Sequence, residues 1–328
     1  MDKDSTKAID IYRGFLAQYI ILSHLIPALF PKVLGVPGTL AVWCFFVISG
    51  YLNFTSLCRS PGAVDYFRRR IIRLYPLLII SFVTVTIFSG LRINEIYTLI
   101  PAVFWIKGHM PSNGVLWTIV IELQLYLLTP ALAVFLMRIP LKKWMVIASL
   151  AFAPALSILL SILASKVATG GIDLDDRTFL SALPFYFFGM VLGLARHQGL
   201  KIKAIGYNFI PAVTALLFVI VVVSRNSDFI PWPSLFLEGR YIPVLLTGFL
   251  LSRPDLFRVF SDKGIFSRNG QLTYEIYLFH GLFAFIMYRF VAAPGYLMAI
   301  VCLWVLPLAA AFSYNACRRL YVRKAITA

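Results

Sequence analysis

Arg13 and His24 stand eleven residues apart in the apolar stretch IYRGFLAQYIILSHL. On a helix, eleven steps of about 100° make three turns plus roughly 20°, so both side chains share one face with a rise of about 16 Å between them. An imidazole there can take a proton from a hydroxyl or carry an acyl group, and a guanidinium can hold an anion. A structural reading is also open, in which Arg13 snorkels to a membrane surface and His24 makes a helix–helix hydrogen bond. Glu122, in LWTIVIELQLYLLTP, is a second ionisable group inside an apolar run. Counted from the ends that face the same side, His24 and Glu122 both lie roughly 9–10 Å deep. Matched depth permits a pair in which the carboxylate holds one imidazole nitrogen and leaves the other as a general base. It equally permits a structural ion pair or a protonated Glu122.

A second chemistry is suggested by YFRRRIIRLYP. Arg69, Arg70 and Arg73 are spaced i, i+3 and i, i+4 and share one helix face. Guanidinium forks suit phosphate oxygens; the same cluster can serve as a topology anchor on lipid headgroups. His280, in TYEIYLFHGLF, lies about 10 Å from the cytoplasmic end of its run, where it could meet a ligand or cross-link helices. Glu238 and Arg240 fall near the outer end of theirs and could line an outward-facing acceptor site or pair with neighbours. Ser49-Gly50, in FFVISGYL, reads as a small-residue packing position. The chain has no GxSxG elbow, Walker loop or HExxH. Cys44, Cys58, Cys302 and Cys317 form neither a CxxC pair nor a Cys/His cluster, so no zinc site or disulfide framework is expected.

The elements that must position these residues are membrane helices. Sixty percent of the 328 residues are hydrophobic and only 13% are charged, against about 25% charged in a soluble domain. The expected fold is all-α, a polytopic bundle in one domain over 1–328. Its spans fall near 11–30, 37–57, 74–90, 115–137, 144–165, 179–195, 207–223, 235–251, 273–292 and 297–316. The segment 96–106 is apolar but too short to cross. The formal charge of +16 is not a nucleic-acid footprint, because Lys and Arg sit in short loops between apolar runs. Of the 30, one alternating set of loops and tails holds 22 and the other 6, with Arg240 and Arg289 inside spans, which predicts ten spans with both termini cytoplasmic. The start, MDKDSTKAID, mixes both signs of charge and is not expected to be a cleaved leader.

Taken in order, the motifs resemble those of the acyltransferase-3 family of membrane acyltransferases. Arg13 and His24 match its R-x10-H signature. FFVISGYL (45–52) is similar to its FFxxSGFL-like segment, and Arg70 to Pro76 to RxxRxxP. Leu116-Trp117 through Glu122 and Tyr126 resemble LWxLxxExxFY, and Tyr277 to His280 resembles YLxH. Leu125 stands where an aromatic is usual, and Gly281-Leu282 where Pro is common. The resemblance implies transfer of an acyl group, usually acetyl from acetyl-CoA, to a hydroxyl of a cell-surface polysaccharide or lipid-linked glycan. It implies a stand-alone multi-pass protein of the bacterial inner membrane, with lipids as neighbours and no metal. In this reading His24 and Glu122 are catalytic, and Arg13, Arg69, Arg70, Arg73 and His280 hold the acyl-CoA. Trp117, Glu238 and Arg240 face the acceptor. The competing classes are a transporter or flippase for a lipid-linked sugar, with His24 and Glu122 as a proton relay, and a membrane sensor or scaffold, which would require neither residue.

Overall fold

Long apolar runs in lipid must satisfy their backbone groups internally, so helix is the expected state for each. The computed structural model describes residues 3–30, 38–60, 62–89, 115–169, 178–200, 232–252, 264–291 and 295–327. Their elements are all helical: α1 (Lys3–Leu29), α2 (Thr39–Leu57), α3 (Ala63–Ser89), α4 (Leu116–Met137), α5 (Lys143–Thr169), α6 (Phe179–His197), α7 (Trp232–Ser252), α8 (Ile265–Gln271), α9 (Thr273–Phe290), α10 (Tyr296–Ile300) and α11 (Leu306–Thr327). A π-helical turn, Val301–Val305, joins α10 to α11. Each predicted span that falls on described residues is a helix; 207–223 and 96–106 lie outside them.

Among the described residues, six stretches are long and apolar enough to cross a membrane: Thr39–Leu57, Ala63–Phe88, Leu116–Met137, Lys143–Leu163, Phe179–His197 and Tyr296–Leu320. They divide into an inner and an outer set. Phe179–His197 is 78% buried and Thr39–Leu57 67%, whereas Ala63–Phe88 is 28% and Tyr296–Leu320 22%. The outer helices expose Ile79, Val83, Ile87, Phe152 and Leu159, among others. A row of exposed aliphatics is costly in water and neutral against lipid tails. The helices α1 and α9, which carry His24 and His280, fall outside the set of six.

Two contacts fix the frame around the polar residues. First, α2 and α6 meet backbone to backbone. A Cβ on Gly50 would sit 1.9 Å from the Tyr186 carbonyl oxygen, and one on Gly189 would sit 1.9 Å from that of Val47. Trp43 stacks on Phe185 at 5.0 Å within the same core. The N-terminus of α6 is capped by Thr178, whose hydroxyl accepts from the Ser181 N–H at 3.2 Å, a bond worth about 1 kcal/mol. Second, α8 lies against the start of α1. Phe15 stacks on Phe266 at 3.9 Å, and a Cβ on Gly14 or Gly270 would clash with the Phe266 or Asp10 carbonyl oxygen.

Candidate functional site

Between α1, α2, α3, α4 and α9 lies a cleft of about 100 Å³. Arg13 from α1, Arg70 and Arg73 from α3, and Glu122 from α4 all line it. The three cations thus come from two helices far apart in sequence. The i, i+3 spacing of Arg70 and Arg73 aims both at the cleft. Arg69 turns away: its guanidinium donates to Asp65 and Ser60 at the exposed end of α3. The arginine face read from the sequence is therefore two residues of α3 plus Arg13 of α1, with Arg69 occupied by its own helix and the loop before it.

Each cleft residue is held by identifiable contacts. Arg13 pairs with Asp10 at 3.8 Å, one turn earlier on α1. Burial raises the pKa of the Asp10 carboxyl above its ordinary value, and Arg13, a Gln271 hydrogen bond and Arg73 pull it back. The Arg70 guanidinium lies over two rings, 5.4 Å from the centroid of Tyr66 and 5.5 Å from that of Tyr126. Such cation–π contacts hold an arginine without neutralising it. Tyr274, in the cleft wall, donates to the Leu74 carbonyl at 2.6 Å and ties α9 to α3.

Glu122 sits within a hydrogen-bonded chain. Its Oε1 accepts from Ser49 Oγ at 3.0 Å and from the Tyr126 hydroxyl one turn on. Ser49 Oγ in turn accepts from Asn53 Nδ2 at 3.0 Å, and Asn53 Oδ1 accepts from the Tyr66 hydroxyl at 3.1 Å. Three helices, α2, α3 and α4, are thereby joined around one carboxylate. Ser49 and Gly50 divide the work of their motif, Gly50 packing on α6 and Ser49 turning to the cleft. Ser49, which the sequence suggested as a packing position, and Asn53, which sequence reasoning passed over, are both site residues. The available signal was two polar groups at i, i+4 in an otherwise apolar helix.

His24 occupies a different position from the cleft-lining residues. Its ring lies against that of His280, with centroids 4.9 Å apart and planes tilted by 50°. His24 is exposed and His280 is 1% exposed. The matched depth of His24 and Glu122 left open a direct pair; the two hydrogen bonds at Glu122 come from Ser49 and Tyr126.

The expected acceptor-side residues are placed as follows. Trp117 is buried in the main core. Arg240 is 2% exposed; it donates to Ser157 and, at 3.0 Å, to Ser161 on α5, and lies 5.4 Å from the Trp43 ring centroid. These contacts hold the guanidinium in place inside the bundle. The side chain of Glu238 lies outside the described residues.

The profile of acyltransferase-3, described as an acyltransferase domain, matches residues 6–315. The chain belongs to the acyltransferase-3 family. That match contains every cleft residue and both histidines of the ring pair. Among curated proteins, the chain is 26% identical to Nodulation protein 10 of Rhizobium leguminosarum bv. viciae, over 83% of this chain and 81% of that one. It is 22% identical to Acyltransferase MdmB of Streptomyces mycarofaciens, over 74% of this chain and 67% of that one. No solved structure matches the chain. Membership in acyltransferase-3, with the apolar helices described above, makes this a multi-pass membrane acyltransferase.

Proposed function

We propose that the protein is an acyl-CoA-dependent O-acyltransferase of the bacterial inner membrane, with ten spans and both termini cytoplasmic. It moves an acyl group, acetyl in the first instance, to a hydroxyl of a cell-surface polysaccharide or lipid-linked glycan. One observation carries the reading: Arg13, Arg70 and Arg73 converge with Glu122 in a single cleft at the base of the helix that bears His24. Charge-assisted hydrogen bonds from guanidinium to phosphate are each worth about 1.5–3 kcal/mol. Three such groups would hold the phosphates of a CoA and leave its flexible arm free to follow α1.

The chemistry then needs a base about 16 Å further along α1, where His24 lies. His24 takes the proton of the acceptor hydroxyl as the new C–O bond forms; the thioester C–S bond breaks and the proton ends on the departing sulfur. Glu122 is the one carboxylate among the described lining residues of the cleft. Held by Ser49 and Tyr126, it limits the mutual repulsion of the arginines and so sets the geometry in which the donor is presented to His24.

The direct experiment is purified protein with labelled acetyl-CoA and a membrane glycan extract, read as thiol release and label in glycan. The expected result is transfer by the native chain, its loss in His24→Ala by about 10²–10⁴-fold, and retention of CoA binding in that variant. Thiol release that is the same with and without glycan, or transfer unaffected by His24→Ala in folded protein, would overturn the reading.

A further inference from the structure

His280 is an unusual residue for the interior of an apolar bundle. It is 1% exposed, and beyond an interaction with the Tyr277 backbone one turn earlier its ring nitrogens have no hydrogen-bond partner among the described residues. A buried polar group left unsatisfied costs about 1–3 kcal/mol, and such groups inside membranes are retained where they act. Its ring neighbour is His24, at 4.9 Å between centroids.

The position of His280 along α9 is the second observation. Thr273, Tyr274 and Tyr277 of this helix line the arginine cleft. His280 follows Tyr277 by three residues and Thr273 by seven, so it continues the same helix face, about 10 Å beyond the first of them. Along α1, Arg13 lines the cleft and His24 lies further on the same face. The two helices therefore leave the cleft together and meet again at the two imidazoles. His280 is the buried member of that meeting and His24 the exposed one.

We propose that His280 is a relay residue that carries the proton from His24 to the sulfur of the departing thiol. The inference rests on the acyl-transfer reading and assigns His280 a place in it other than donor binding. As the acceptor oxygen bonds to the acyl carbon, its proton passes to His24. His24 passes a proton to His280, and His280 protonates the sulfur as the C–S bond breaks. Both imidazoles end neutral, and no further reactant is needed. The ring torsion of histidine is broad, so a turn of either ring brings nitrogen to nitrogen within hydrogen-bond reach. An exposed His24 receives the acceptor; a buried His280 keeps the transferred proton from bulk water.

The test separates a relay from a packing role with His280→Gln and His280→Ala in the full-length protein. Gln fills the site and can cross-link helices, but it does not ionise. A relay predicts that His280→Gln loses about 10²-fold or more in kcat, with CoA affinity and KM for acyl-CoA within threefold of native. It also predicts that added imidazole restores a measurable part of the rate to His280→Ala, whose side chain leaves room, and none to His280→Gln. Three results would overturn the proposal: near-native kcat in His280→Gln, a matching loss of CoA affinity, or no response of His280→Ala to imidazole. Native protein that fails to transfer from acyl-CoA at all would instead bring down the acyl-transfer reading, so the two failures are distinguishable.

Discussion

Glu122 is the residue on which α2, α3 and α4 converge, and its two hydrogen bonds can be removed one at a time. Ser49→Ala deletes the 3.0 Å bond to Oε1, and Tyr126→Phe deletes the other. A hydrogen bond to a charged group contributes about 1.5–3 kcal/mol, which is roughly a 10- to 150-fold change if all of it is felt in the reaction. Ser49→Ala is the cleaner perturbation. The hydroxyl is small, and Asn53 Nδ2 keeps its 2.8 Å bond to the Ser49 carbonyl, so the helix should stay in place. Tyr126→Phe keeps the ring beneath Arg70 and removes only the hydroxyl. Both variants should therefore fold and bind CoA, yet transfer acyl groups about tenfold or more slowly. The assay is steady-state thiol release with saturating acceptor, together with CoA affinity measured separately. A cycle with Glu122→Gln then isolates the coupling: if Ser49 acts through Glu122, the double variant should be little worse than Glu122→Gln alone. Losses that multiply would show that Ser49 acts independently of the carboxylate. Rates within twofold of native for both single variants would refute the view that a fixed Glu122 matters to the chemistry.

Gly50→Ala should destabilise the α2–α6 contact, because the new methyl would lie 1.9 Å from a backbone oxygen; overpacking costs about 1–3 kcal/mol or more. A thermal-unfolding midpoint in detergent equal to that of native protein would contradict this. Arg73→Ala should weaken CoA binding about tenfold or more, whereas Arg69→Ala should leave it within twofold, since Arg69 is engaged by Asp65 and Ser60. Equal losses by titration of CoA would mean that the cleft is not the phosphate site. Reporter fusions at Met1 and Ala328 should both read as cytoplasmic; opposite signals from the two ends would rule out ten spans.

Much of this protein's character follows from one-dimensional information. A helix in lipid is dictated by an apolar run of sufficient length, so the helical class was legible without coordinates, although α1 and α3 begin at Lys3 and Ala63, well before the apolar runs expected from 11 and 74. The ordered motifs from Arg13 to His280 were enough to suggest acyltransferase-3, which the match over residues 6–315 shows. Spacing along a single helix also told which residues share a face, as with Arg70 and Arg73. It did not tell what that face meets. Arg69 is a neighbour of both, yet it pairs with Asp65 and Ser60, because helical spacing cannot say which edge of an arginine face meets a neighbouring helix and which meets solvent.

The remainder was decided by the packing of one helix against another. Gly50 and Gly189 bring α2 onto α6, which turns the adjoining face of α2, with Ser49 and Asn53, toward Glu122 and Tyr66. Depth along the membrane made His24 and Glu122 possible partners, but depth is a single coordinate and contact needs three. The tertiary structure sets the His24 ring against His280, 256 positions later in the chain, and gives Glu122 to Ser49 and Tyr126. Each pairing is a property of rotation and translation between helices, which no period within one helix encodes.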